Sequence, residues 1–156
     1  MQAPENAANP IDALTEVRPS SLHGMGVFAK QDIPKGTVWW RARPDRDVMF
    51  ITQPQFEVLC GSFVSPPNDS LLNSLYTYSY FSADHDALIL IFDNARYTNH
   101  SSDPNSAELD EPGAIGSIAI RDIQAGEEIT EDYNRYDPCP WDGFEERTWM
   151  PDRVLD

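Results

Sequence analysis

No apolar stretch of this chain runs far before a proline or a glycine breaks it, and that interruption constrains the fold more than any other feature. Thirteen prolines and eight glycines are spread over 156 residues, which leaves room for short elements only. The strand-like stretches are "ALTEVRPS", "GVFAK", "TVWW", "VMFIT", the continuous apolar "ALILIF" at 87–92, "GSIAIR" and the short "EEIT". Between them stand turn formers, "SSLHGMG", "IPKG", "SPPND" and "QAG", in which Gly supplies unusual backbone angles and Pro a fixed φ. "QPQFEVLCG" reads as two helical turns closed by Gly61. In "LYTYSYF" a period of two puts Tyr76, Tyr78 and Tyr80 on one face of an expected strand. Many short strands with this punctuation, and little helix, predict a mainly β fold.

The length fits one domain, and 40 % hydrophobic residues suffice for a single modest core. Residues 1–12, polar and carrying Pro4 and Pro10, read as a frayed leader. No run of 18 or more apolar residues is present, and the first ten residues lack the basic and apolar regions of a signal peptide. The expectation is a soluble intracellular protein without a membrane partner. Cys60 and Cys139 are the only cysteines, which excludes a disulfide framework or a Cys-rich zinc module and leaves each as a packed thiol. His23 and His85 have no carboxylate or Cys cluster at ligand spacing, so no metal is expected.

The net charge of −15 is uneven. Residues 1–78 hold eight Asp and Glu against six Lys and Arg, whereas residues 79–156 hold eighteen against five. So acidic a half argues against direct nucleic-acid binding and suits a cationic partner such as a Lys-rich protein or peptide; its bland reading is solubility.

Three segments concentrate residues able to do chemistry. "HGMGVFAKQDIPKGT" (23–37) sets Gly24 and Gly26 around Met25, where missing side chains let backbone groups approach a ligand. "ARYTNHSSDPNS" (95–106) places Asn99 and His100 just after the greasy run, and their polar groups need partners from backbone or ligand. "IAIRDIQAGEEITEDYN" (118–134) ends near Tyr133. In residue type, order and approximate spacing the three together resemble the SET domain of protein lysine methyltransferases, over roughly residues 14–136.

The resemblance implies a SET-domain, β-clip-like fold with a knot-like C-terminal crossing, spanning 13–136 and followed by a flank at 137–156. It implies S-adenosylmethionine as cofactor, held by the backbone of Gly24, Met25 and Gly26 and by Asn99 and His100. Tyr133 matches the family's catalytic Tyr, with Tyr76 or Tyr78 as channel tyrosines helping to orient a lysine. Without a zinc module, an aromatic of the C-terminal flank is expected over the adenine, and Trp141, Phe144 and Trp149 are the candidates. Small members of the family include dimers, so a homodimer stays open.

Two positions depart from the family. Glu131 stands two residues before Tyr133, where Phe or Tyr is usual, and its carboxylate faces either the lysine channel or solvent. Arg41 and Ala42 fall near the place of a usual Glu-Tyr pair, with Trp40 placed to reshape the pocket. These departures motivate an alternative, a catalytically inactive SET-like module that binds Lys-rich peptides.

Overall fold

A computed structural model of the chain describes residues 8–61, 69–141 and 144. A single helical turn, α1 (Ile11–Leu14), leads into β1 (Thr15–Pro19), β2 (Met25–Ala29), β3 (Val38–Arg41) and β4 (Val48–Ile51). Two helices follow, α2 (Gln53–Gly61) and α3 (Asp69–Tyr78), then β5 (Ser79–Ser82) and β6 (Ala87–Ile91). A 3-10 turn at Asn94–Tyr97 precedes β7 (Asn99–His100), β8 (Ser106–Glu108), β9 (Gly116–Ala119) and β10 (Glu128–Glu131). The fold is mainly β, as the punctuation predicts.

The strands form three small sheets, in the orders β1-β2-β10-β7, β3-β9-β8 and β4-β6-β5. In the first, β10 lies antiparallel to β2 and parallel to β7, with Thr130 opposite Asn99 and Glu131 opposite His100. That arrangement brings the three chemistry-bearing segments into one sheet. Two turns of like sequence, 32–36 and 122–126, clasp each other across the molecule. Ile33 and Ile123 exchange both backbone bonds, while the Lys35 and Ala125 N–H groups donate to Asp122 and Asp32. Each turn therefore satisfies donors that the other leaves open.

The apolar interior is divided into two clusters where the sequence suggests one core. One gathers Val27, Ile33, Trp39, Ile89, Ile123 and Ile129, each at most 1 % exposed. The other gathers Ile51, Phe56, Leu75, Tyr76, Phe81, Leu88 and Trp141 under the β4-β6-β5 sheet. Ile11, within the segment read as a leader, is 1 % exposed and belongs to the first cluster. Asn9 anchors it further, since its Nδ2 donates to Asp93 at 2.8 Å and to Asp47 at 3.2 Å. From residue 8 onward the segment is thus part of the fold, because an apolar side chain and an amide there have interior partners.

The expected strand over "LYTYSYF" is corrected. Helix α3 continues through Tyr78, and only Ser79–Ser82 is extended. Leu75 and Tyr76 are buried side by side while Thr77 is exposed, an order a helix produces and an alternating strand does not. The tyrosine alternation coincides with the helix end.

Candidate active site

Asn99 is held where three segments meet. Its Nδ2 donates to the His23 and Met25 carbonyls, both at 3.0 Å, and to Glu128 Oε1 at 2.8 Å. Gly24 takes φ +47 and has open space where a Cβ would be, a conformation glycine adopts without penalty. At Gly26 a Cβ would lie 2.2 Å from Glu128 Oε1. The glycines therefore permit both the turn and the approach of Glu128 to Asn99.

His100, the next residue, accepts the Tyr133 backbone N–H at Nδ1, 3.1 Å away. This bond assigns the ring proton to Nε2. Neither that N–H nor Asn99 Oδ1 has a hydrogen-bond partner among the described residues. Gly24, Met25, Gly26, Asn99, His100 and Tyr133 are brought together around β7 and β10, although they span 110 positions of sequence.

On the other side of Tyr133 is a pocket of about 900 Å³, counting its mouth to solvent. Tyr76, Tyr78, Tyr80, Tyr133 and Tyr136 line it, together with Trp40. The Tyr133 hydroxyl donates to the Thr98 carbonyl, which commits its proton there. Tyr80 and Tyr136 stack with ring centres 5.0 Å apart. Burial, then nearby Glu108 and Glu131, pushes the Tyr80 hydroxyl pKa above its ordinary value. Burial followed by Glu131 does the same to Tyr136. Both stay phenols.

Glu131 lines this pocket and is only 3 % exposed, which settles its direction. Ser106 Oγ donates to its Oε1 at 2.8 Å, the Tyr136 hydroxyl donates to Oε2, and Trp39 Nε1 donates in turn to Ser106 Oγ at 2.7 Å. Glu108, at the end of β8, borders the pocket and is exposed to solvent. Desolvation there, then the like charges of Asp137, Glu131 and Asp84, pushes its carboxyl up to about 7. Arg41, near the expected Glu-Tyr position, pairs with Glu111 at 3.0 Å, while Trp40 lines the pocket and donates through Nε1 to Asp93.

Trp141 is 6 % exposed, packed against Phe56 and Phe81 in the second cluster. Apolar burial leaves it little surface to offer an adenine. Phe144 lines the pocket and packs on Tyr76, and Trp149 lies outside the described residues. The sequence reading did not single out Tyr136, Arg96 or Glu108 for the site. Among the described residues no cluster of His, Cys, Asp and Glu is able to hold a metal, and no helix is long and apolar enough to cross a membrane.

Residues 24–134 match the SET domain family, and the chain belongs to it. Similar solved structures include a Plasmodium falciparum protein provisionally assigned as a histone methyltransferase. It is 21 % identical, with 77 % of this chain and 92 % of that chain covered and a TM-score of 0.50. A humanised mutant of the Chaetomium thermophilum Polycomb Repressive Complex 2, bound to an inhibitor, is also 21 % identical. There the match covers 80 % of this chain and 15 % of that chain, with a TM-score of 0.56. At such identity these likenesses describe the fold. A search of curated proteins gave no match.

Proposed function

We propose that the chain is an S-adenosylmethionine-dependent protein lysine N-methyltransferase acting on a basic protein or peptide. The observation that carries this reading is the position of Tyr133. Its backbone is bonded to His100 on the Asn99 side, and its ring lines the tyrosine pocket on the other. A single residue thereby joins two sites.

The donor set fits the cofactor. Asn99 Oδ1 offers an acceptor to an ammonium group, His100 Nε2–H offers a donor, and the turn at Gly24 has open space beside its Cα. When bound, S-adenosylmethionine supplies a sulfonium methyl that passes to the amine as the sulfur becomes a thioether. The protein's own part is alignment and exclusion of water. With its proton committed to Thr98, the Tyr133 oxygen accepts an N–H from a neutral lysine amine and turns the nitrogen lone pair toward the methyl. The aromatic walls suit the lysine methylenes. The acidic second half of the chain draws a basic substrate, so KM rises with ionic strength.

Calorimetric titration with S-adenosylmethionine and its demethylated product, on wild type and Asn99→Ala, tests the cofactor site. Saturable binding to wild type and its loss in a folded variant support the reading, and labelled-methyl transfer to basic proteins then tests the reaction. A folded wild type that binds neither compound, with or without a Lys-rich peptide, overturns it.

A further inference from the structure

Arginines in so acidic a chain find carboxylates easily. Arg18 pairs with Glu16, Arg41 with Glu111, Arg43 with Asp47, Arg46 with Asp45, Arg121 with Glu127 and Arg135 with Asp132. Arg96 is the one described arginine with no carboxylate partner. It is half-buried on the 3-10 turn before Asn99, and it lines the tyrosine pocket.

Its guanidinium is held by aromatic groups alone. The Arg96 Cζ lies 4.7 Å from the Tyr97 ring centre and 5.6 Å from that of Tyr78, and Nη2 donates to the Tyr97 hydroxyl at 2.8 Å. Ring contacts of this kind fix a guanidinium in place without neutralising it. Its Nε is shut off from solvent and has no hydrogen-bond partner, the single such buried side-chain N or O among the described residues. A shielded N–H without an acceptor is costly, and more so on a charged group. A ligand entering the pocket does not reach that atom; the donors it can meet are Nη1, which has no partner among the described residues, and the second N–H of Nη2.

The same pocket carries Glu131 and Glu108. It therefore presents both a carboxylate set for an ammonium and a guanidinium with unused donors. A substrate that complements both has two charges of opposite sign close together.

We infer that Arg96 is a subsite for a carboxylate that the substrate carries beside its target amine, such as an Asp or Glu adjacent to the methylated lysine. This rests on the lysine-site reading above. The two terminal N–H groups of a guanidinium, Nη1 and Nη2, match the two oxygens of a carboxylate. Arg96 is then a specificity-determining residue that selects a mixed-charge sequence within an otherwise basic partner.

The test measures binding of three capped peptides to the full chain in the presence of the demethylated cofactor product. One has lysine between alanines, one has lysine beside aspartate, and one has lysine beside asparagine. We expect wild type to favour the aspartate peptide about tenfold over the other two. In Arg96→Gln the ratio of aspartate-peptide to alanine-peptide affinity falls to about one, whatever happens to the absolute affinities. Arg96→Lys, which keeps the charge and the ring contact, retains part of the preference. Equal binding of all three peptides to wild type overturns the inference and leaves the lysine-site reading standing. Equal preference for aspartate and asparagine assigns the donor to a neutral carbonyl and overturns the carboxylate subsite. Uniform loss of all three peptides in a folded Arg96→Gln reduces Arg96 to a wall of the pocket. If no peptide binds wild type while the cofactor product does, the lysine-site reading itself falls, and this inference with it.

Discussion

Ser106 and Glu131, 25 positions apart, share a hydrogen bond of 2.8 Å in the interior, where Ser106 is fully buried and Glu131 nearly so. The carboxylate is a structural acceptor as well as a pocket wall, since the Tyr136 hydroxyl donates to its second oxygen. Glu131→Ala strands both hydroxyls and is expected to cost about 2–4 kcal/mol, against about 1 kcal/mol for Glu131→Gln. Urea unfolding measures both. The charge has a separate effect on chemistry, because a carboxylate facing the lysine favours its ammonium form. The acid limb of kcat/KM against pH should therefore lie at lower pH in Glu131→Gln than in wild type. An unmoved limb would mean that the carboxylate does not sense the amine.

Gly26 and Gly24 are expected to respond differently to alanine. At Gly26 the new methyl meets Glu128, which is pinned by Asn99 and by Ser20 Oγ at 2.8 Å and so cannot move without breaking those bonds. Gly24→Ala meets no atom and suffers only the strain of its positive φ, about 1 kcal/mol. We expect Gly26→Ala to lose about 2–3 kcal/mol and to weaken cofactor binding more than Gly24→Ala does. Equal losses in thermal unfolding and in calorimetry would contradict this.

The parts of the site legible in the sequence are those whose chemistry is written contiguously. Asn99 and His100 adjoin, Gly24 and Gly26 flank the single residue Met25, and Tyr133 follows a strand in a long recognisable segment. What stayed hidden depends on partners from elsewhere. The direction of Glu131 follows from Ser106 and Tyr136, which lie on a different strand and past the strand's end. The period of two in Tyr76, Tyr78 and Tyr80 mimics a strand, but the first two close helix α3 and only Tyr80 lies on β5. The significance of Arg96 is relational, visible only when every other described arginine has found its carboxylate. Trp141 offered an aromatic ring near the chain's end, and the second apolar cluster took it.

Asp47 fastens the loop between β3 and β4. Its carboxylate accepts the Arg43 backbone N–H at 2.8 Å and both arms of that guanidinium at 2.9 Å, and it is 6 % exposed. The Arg43 hydrogen bond leads the interactions that hold its pKa below the ordinary 3.8, and burial opposes it. A depressed carboxylate contributes stability that is complete above its unfolded value and is lost as pH falls through the folded one. Asp47→Asn is expected to lose about 1–3 kcal/mol at pH 7. The gap from wild type should narrow below the ordinary value of 3.8, as measured by urea unfolding at several pH values. A gap that is constant with pH would assign the loss to packing alone.

Glu108 has the opposite sign. Its carboxyl titrates at about 7 in the folded protein against an ordinary 4.5, chiefly through desolvation at the pocket mouth and then through Asp137, Glu131 and Asp84. Between those two values the native state binds a proton that the unfolded chain has released. Stability from this group therefore falls as pH rises across that window, and below it the group is protonated in both states and contributes nothing to the slope. Glu108→Gln keeps the shape without the charge. The midpoint of the variant minus that of wild type should accordingly rise from pH 5 to pH 8, with the difference levelling off once Glu108 is ionised. Parallel melting curves across that range would show that solvent at the mouth screens the carboxylates from one another. The same substitution should also weaken a cationic peptide's binding more at pH 8 than at pH 5, because only the ionised form attracts it.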